Sequence, residues 1–239
     1  MIGRFLEVSV ATADIAASFD FYTRLGFAQL AAGDAWPHAY AVVGDGRIHI
    51  GLHAADLDSP QLTFVRPQLL KATDALERLG IACDVRRLGN DAFNELGWPG
   101  PGGQRIRLVE ARTFSPVQAN TAASLCGHFL EIALPAADVE GARHGWERMG
   151  FIGLDETDGP LPHVCCISDA LNIGLYPSPD IPEPTLVFEA DDVPALRARL
   201  AGLGIEPARR APRGLGAADA LLLKAPEGTA LLVYSATPG

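Results

Sequence analysis

The sequence predicts an α+β protein made of four strand–helix–strand units in two similar halves. Two observations carry this. One stretch, "RFLEVSVATADI" (4–15), returns 124 residues later as "HFLEIALPAADV" (128–139). Each copy also passes from a two-residue alternation to a capped helix and then to further alternating runs, an order that recurs within each half.

The repeat is long. Residues 5–27 and 129–151 are identical at 8 of 23 positions, including Glu7/Glu131, Asp14/Asp138, Gly26/Gly150 and Phe27/Phe151. "WPHAYAVV" then parallels "LPHVCCIS", "IHIGLH" parallels "LNIGLY", and "QLTF" parallels "TLVF". The halves are 1–114 and 124–239, each of two units. The linker, 115–123, lies within the small, polar stretch "SPVQANTAAS".

Taken in order, residues 5–11 alternate as a strand. Asp14 caps the helix "IAASFDFYTRLG", which stops at Gly26. "AYAVVGDGRIHIGLH" reads as two strands about a Gly-Asp-Gly turn. "QLTFV" begins the second unit, "LLKATDALERLG" is its helix, and "CDVRR" and "QRIRLVE" are its later strands. "NDAFNELGWPGPGG" reads as a long glycine-rich connection able to serve as a lid.

The 239 residues are 48% apolar and 20% charged, enough for a real core. A formal charge of −10 disfavours nucleic acid and anionic lipid as partners. The pairs Arg86-Arg87 and Arg209-Arg210 read as solvated. Four cysteines without a CxxC spacing read as intracellular thiols, and Cys165-Cys166 as residues on opposite strand faces. With no leader or membrane-length apolar window in the sequence, a soluble cytoplasmic protein is expected.

The arrangement resembles the glyoxalase / bleomycin-resistance / extradiol-dioxygenase family, the vicinal oxygen chelate superfamily. Asp14 through Phe27, echoed by Asp138 through Phe151, carries its opening signature, and "GPGGQRIRLVE" resembles its closing "DPxGNxIELxE". The resemblance implies four βαβββ modules in one chain, paired into two curved, cup-shaped mixed sheets. Single-pair relatives dimerise to complete two cups, so either a monomer or a homodimer is expected here.

Metal-dependent relatives place His, Glu or Gln ligands at matching strand points. The resemblance puts Glu7, Gly51, Gln61 and Arg107 at those points in the first half. In the second half they are Glu131, Gly174, Thr185 and Leu232. Arginine, glycine and leucine give a cation no side-chain lone pair, so no metal or other cofactor is expected. A shifted divalent-metal site of Glu7, His49 and Gln61 is the alternative.

Glu7 and Glu131 are the candidate catalytic residues, because a carboxylate inside an apolar strand needs a partner or a wet cavity. Alternation puts Glu7 on the cup side with Phe5 and Ser9, and Leu6, Val8 and Val10 toward the helices. Arg107 is then placed to face Glu7. Glu7 is left as a buried ion pair, a ligand holder or a general base. His38 and His163, each after a proline, are expected at the cup mouth, with His49, Gln61 and Arg107 as further ligand contacts. Phe93 and Trp98 are expected as apolar walls.

The expected function is binding of a small organic molecule in a cup without the family's metal. Two alternatives stand beside it. One is a metal-dependent or carboxylate-based lyase, isomerase or dioxygenase of the glyoxalase type; the other is a non-catalytic scaffold.

Overall fold

A computed structural model describes residues 2–31, 36–89, 94–111, 123–157, 161–177, 179, 181–208, 212, 214–216 and 218–235. The first half runs β1 (Arg4–Ala11), α1 (Ile15–Arg24), β2 (Ala28–Leu30), β3 (Tyr40–Gly44) and β4 (His49–His53). It continues with β5 (Gln61–Arg66), α2 (Leu69–Arg78), β6 (Val85–Arg87), β7 (Glu95–Pro99), a 3₁₀ turn (Pro101–Gly103) and β8 (Arg105–Glu110). The second half runs β9 (His128–Pro135), α3 (Val139–Arg148), β10 (Ile152–Glu156), β11 (Val164–Ile167) and β12 (Asn172–Tyr176). Then come β13 (Thr185–Ala190), α4 (Val193–Gly202), β14 (Ala220–Lys224) and β15 (Ala230–Ser235).

Two open, curved mixed sheets result. Their strand orders are β2-β3-β4-β1-β5-β8-β7-β6 and β10-β11-β12-β9-β13-β15-β14. Within each module the last strand returns parallel to the first, as β4 does beside β1 and β8 beside β5. The two modules of a sheet join through their antiparallel first strands, β1 with β5 and β9 with β13. Each sheet is therefore two βαβββ modules back to back. Among the described residues the fourth module lacks the strand expected directly after its helix. The Ala208 amide still bonds the Leu222 carbonyl at 2.6 Å, so the chain runs beside β14 there. Pro207 and Pro212 cannot donate to a ladder.

Local chemistry sets the helices. Asp14, Asp138 and Asp192 accept the Ala17, Gly141 and Ala195 amides at 3.0, 2.9 and 2.8 Å, satisfying orphan donors of three first turns. Among the described residues, each of the helices α1 to α4 is followed by a glycine with positive φ: Gly26, Gly80, Gly150 and Gly204.

The helices pack between the two sheets. Val8, Val10, Ile50, Leu52, Leu62, Phe64, Ile106 and Leu108 from the first sheet share one core with Ile132, Leu134, Ile173, Leu175 and Phe188 from the second. The halves cross over within it. Tyr22 of α1 donates to Glu227 Oε1 at 2.7 Å, in the β14–β15 turn. Gly145 of α3 lies against Pro101 in the β7–β8 turn, where an added Cβ would stand 2.5 Å from Pro101 Cγ.

Three expectations change. "NDAFNELGWPG" is not one long loop, since Glu95–Pro99 is strand β7 paired with β6 and β8. Its apolar alternation was masked by glycine and proline; its residues 90–93, including Phe93, lie outside the described residues, as do 112–122 at the join of the halves. Trp98 does not line a cup. The parity of β7 turns it into the central core, 2% exposed. Phe5 and Leu6 exchange faces, because a bulge between Phe5 and Glu7 inserts one residue against β5. Phe5 meets Phe64 at a 5.5 Å centroid distance on the core side, and Leu6 packs with Trp36 on the cup side.

Two glycine substitutions test the packing between the halves. Gly145→Ala should lower unfolding free energy by about 1–3 kcal/mol through overpacking against Pro101, despite better helix propensity. Gly202→Ala, whose Cβ would meet nothing within 4 Å, should raise it by up to about 1 kcal/mol in the same urea denaturation series.

Candidate functional site

The parallel pairing of β1 with β4 sets Ser9 opposite Gly51 on the concave face. Glu7 reaches across into the space that Gly51 leaves. A Cβ on Gly51 would stand 2.2 Å from Glu7 Oε1. The second cup repeats this: β9 pairs with β12, and a Cβ on Gly174 would stand 2.1 Å from Glu131 Oε1. Both acids are buried, at 2% and 5% exposure.

In the first cup, Ser9 Oγ donates to Glu7 Oε1 at 2.7 Å, and His53 Nε2 lies 2.8 Å from the same oxygen. Ser9 spends its only proton on Glu7, so Thr63, 2.7 Å away, donates to Ser9. The other nitrogen of His53, Nδ1, lies 2.9 Å from His38 Nε2. A hydrogen-bonded chain thus runs Glu7–His53–His38. Tyr40 stacks on the His53 ring at 5.6 Å and Trp36 meets it edge-on at 5.1 Å. Burial, then the neighbouring His53 and Arg107, hold His38 below its ordinary value.

The outer end of this chain is open. His38 lines a cavity of about 390 Å³ with Pro37, Leu57, Arg87 and Arg107. An adjoining cavity of about 200 Å³ shares Leu57, Arg87 and Arg107 and reaches Gln61, Glu95 and Arg105. Glu95, 2% exposed, receives two guanidinium groups: Arg107 and, at 2.8 Å, Arg87. Arg107 also lies 4.4 Å over the Trp36 ring. Arg105 is held by Asp84 at 2.6 and 2.8 Å. Gln61 is 4% exposed and its Nε2 has no hydrogen-bond partner among the described residues.

The expected residues divide accordingly. His38 borders the larger cavity, Gln61 the smaller and Arg107 both. Glu7 does not: it lies beneath them and reaches them through His53 and His38. Arg107 does not face Glu7 as its strand position suggested, because Glu95 on neighbouring β7 takes its guanidinium. Arg87 is solvated as read, its side chain 72% exposed, with its tip on that same carboxylate, while Arg209 and Arg210 lie outside the described residues. His49 shares the β4 face with His53 but borders neither cavity, and burial lowers its pKa. Ser9 and His53 lie on the concave face where strand alternation puts them, and Glu95 was missed. The matched ends of "HIGLH" and "NIGLY" were the signal for His53. Glu95 needed residues 95–99 to be read as a strand.

In the second cup, Tyr176 replaces His53 and donates to Glu131 Oε1 at 2.7 Å. His163 Nε2 lies 3.3 Å from that oxygen, and its ring stacks on Tyr176 at 4.3 Å. Burial opposes charging of His163, but the hydrogen bond and charge of Glu131 outweigh it and raise its pKa. Burial, then Glu131, pushes the Cys165 thiol up to about 12. By register, Gln61, Thr63, Arg107 and Glu95 become Thr185, Val187, Leu232 and Ala220. Val187, Leu232 and Ala220 pack with Leu161, Tyr176 and Ile181 in an apolar cluster.

Neither cup fits the family's divalent ion. An ion needs donors converging on one point. Glu7, His53 and His38 instead form a line, with the two His53 nitrogens turned to different partners. Arg107 occupies a ligand position with a cation, and the second cup has Leu232 there. The Glu7, His49 and Gln61 set does not fit either, since Glu7 is bonded to Ser9 and His53. Among the described residues, no three His, Cys, Asp or Glu side chains gather where an ion could sit. None of their helices is long and apolar enough to cross a membrane.

Two back-to-back βαβββ modules around a concave polar face define the paired-module, cup-forming class of proteins. The chain belongs to the Glyoxalase/Bleomycin resistance protein/Dioxygenase superfamily, which it matches over residues 4–231. Its fold is that of extradiol dioxygenases of known structure. A catechol 2,3-dioxygenase superposes with a TM-score of 0.61 at 15% identity, covering 98% of this chain and 88% of that one. The 2,3-dioxygenase LapB from Pseudomonas sp. KL28 gives 0.63 at 13%, covering 98% and 92%. A variant of homoprotocatechuate 2,3-dioxygenase from Brevibacterium fuscum gives 0.61 at 14%, covering 97% and 71%. No curated protein sequence matches.

The raised His163 pKa has a sign that can be checked. A histidine raised above its unfolded value of about 6.5 adds stability that is fully present below that value and lost as pH rises through the folded one. The lowered His38 and His49 act oppositely, so the comparison must isolate His163. The stability gap between the parent and His163→Gln should be wider at about pH 6 than at about pH 8.5 in chemical denaturation. An equal gap at both would remove the Glu131–His163 interaction.

Proposed function

We propose that the protein binds a small organic molecule in its first cup, without the divalent ion of its metal-dependent relatives. One observation carries this reading. The first cup opens into adjoining cavities of about 390 and 200 Å³ bordered by His38, Asp56, Gln61, Arg87 and Arg107, the larger within the size range of small-molecule sites. The matching positions of the second cup hold mainly apolar side chains packed on one another, so the second sheet serves as structural support for the first. Donor chemistry supports the metal-free part: Glu7, Ser9 and His53 are bonded to one another, and Glu95 is bonded to Arg107 and Arg87.

A second reading, carboxylate-based chemistry of the lyase or isomerase kind, is favoured by the Glu7–His53–His38 chain. In it His38 is the group in contact with substrate, and Glu7 and His53 are positioning residues that fix its orientation and tautomer.

A thermal-shift panel of small organic molecules tests the first reading. A ligand at about 100-fold its Kd should add about 2.7 kcal/mol, and EDTA should leave that gain unchanged. Arg107→Leu, which installs the second cup's residue, should remove the gain. A stoichiometric divalent ion in purified protein whose chelation abolishes binding would overturn the metal-free reading.

A further inference from the structure

The charges around His38 specify the chemistry of the occupant, provided the first cup is a small-molecule site. We propose that it takes a small organic acid as its anion, set between His38 and the Arg107–Arg87 pair, and that binding draws a proton onto His38.

Three observations carry this. The first is charge. Arg107 and Arg87 share one buried carboxylate, Glu95, and the exposed Asp56 at the rim of the same cavity forms an ion pair with neither among the described residues, so guanidinium donors remain available at the cavity wall. Arg105 adds no free donor of this kind, being held by Asp84 and Asp58. The inner part of the Arg87–Glu95–Arg107 group is shielded from water, with the Glu95 side chain 3% exposed and that of Arg107 18%, while Arg87 is 72% exposed at the mouth. A carboxylate matches a planar guanidinium in shape and charge.

The second is the direction of the hydrogen-bond chain. A carboxylate only accepts, so His53 donates to Glu7 from Nε2. With His53 neutral, its Nδ1 is an acceptor, and His38 must donate to it from Nε2. Neutral His38 is then left with a lone pair on Nδ1, which has no partner among the described residues. Glu7 and His53 thus select the tautomer of a histidine they hold away from Glu7 itself.

The third is the balance of fields on His38. The titratable or charged groups facing it are His53 on β4, Arg107 on β8 and Glu7 on β1, with Arg87 on β6 and exposed Asp56 at the rim of the cavity it lines. Tyr40 on β3 stacks on His53. Burial, His53 and Arg107 favour neutral His38, and Glu7 opposes them. An anion laid against Arg107 cancels the effect of that cation and adds its own attraction for an imidazolium. The proton comes from solvent, arrives at Nδ1, and no covalent bond to the ligand forms. Protonated His38 keeps its Nε2 donation to His53, so the chain to Glu7 survives binding.

Isothermal titration calorimetry in phosphate and in Tris, at about pH 7.5, tests this with acetate, benzoate and succinate against acetamide, benzamide and succinamide. At least one carboxylate should bind about tenfold or more tighter than its amide. Its heat should differ between the buffers by an amount approaching uptake of a single proton. His38→Gln should abolish the buffer dependence. Should that variant fold poorly, Arg87→Gln, at a side chain 72% exposed, should weaken carboxylates about tenfold yet keep the buffer dependence. Amides binding as tightly as carboxylates, or equal heats in the two buffers, would overturn the proposal and leave the small-molecule reading intact. If no carboxylate binds while a neutral compound raises the melting temperature, the organic-acid assignment alone falls. If nothing binds at all, both fall.

Discussion

Each cup is organised around a buried carboxylate lodged over a glycine. Glu7 fills the space over Gly51, and Glu131 the space over Gly174. A carboxylate out of water is costly unless it is hydrogen-bonded or paired, so its neighbours are constrained by it. The first strand must supply the acid, the parallel last strand of the module a residue without a Cβ, and two positions further along that strand a donor. His53 and Tyr176 are those donors. The histidine ahead of the third strand follows, reaching His53 in one half and Glu131 in the other. The polar geometry of both cups thus comes from one steric requirement between two adjacent parallel strands.

What differs is the path from the buried acid to the outside. His53 has two nitrogens, so it receives His38 at one while giving the other to Glu7. Tyr176 has a single hydroxyl, which it gives to Glu131, and the phenol passes nothing further. His163 then approaches Glu131 directly and lies flat on Tyr176. One change of ring type converts an extended chain into a closed cluster. The surroundings agree: Arg107 and Glu95 beside the open chain correspond to Leu232 and Ala220 beside the closed one. An apolar wall suits a cup in which the carboxylate has no business with solvent.

The sequence made the architecture legible because the repeat carried it. Alternation, aspartate caps and stop glycines fall at matched places in the two halves. The acids were legible too, as charged residues in otherwise apolar strands. Less was visible of how side chains meet. The bulge after Phe5 reversed the faces of Phe5 and Leu6 while leaving Glu7 on the concave side, and nothing in "RFLEV" marks an unpaired residue. Trp98 and Glu95 were misread or missed for one reason. "ELGWP" holds a glycine and a proline, which usually punctuate, and here it forms a strand whose register decides that Trp98 enters the core and Glu95 meets Arg107. Pairing of that kind is a non-local property, set by β8 rather than by β7 itself.

The same geometry bears on chemistry. Divalent-ion catalysis on a concave sheet needs donors from several strands aimed at one point in space. In this chain the strand that could aim a carboxylate from β8 offers Arg107, and β7 supplies Glu95 to neutralise it. At that position the first cup presents a fixed guanidinium belonging to the protein instead of a side chain with a lone pair. A fixed guanidinium attracts an anionic or strongly polar ligand, as a metal would, but it offers no vacant coordination position and does not lower the pKa of a bound water as a metal does. Binding and orientation remain open to such a site, and any proton it moves must travel through side chains. Glu7, His53 and His38 are the side chains placed to carry one, and His38 is the member of that chain that borders the cavity.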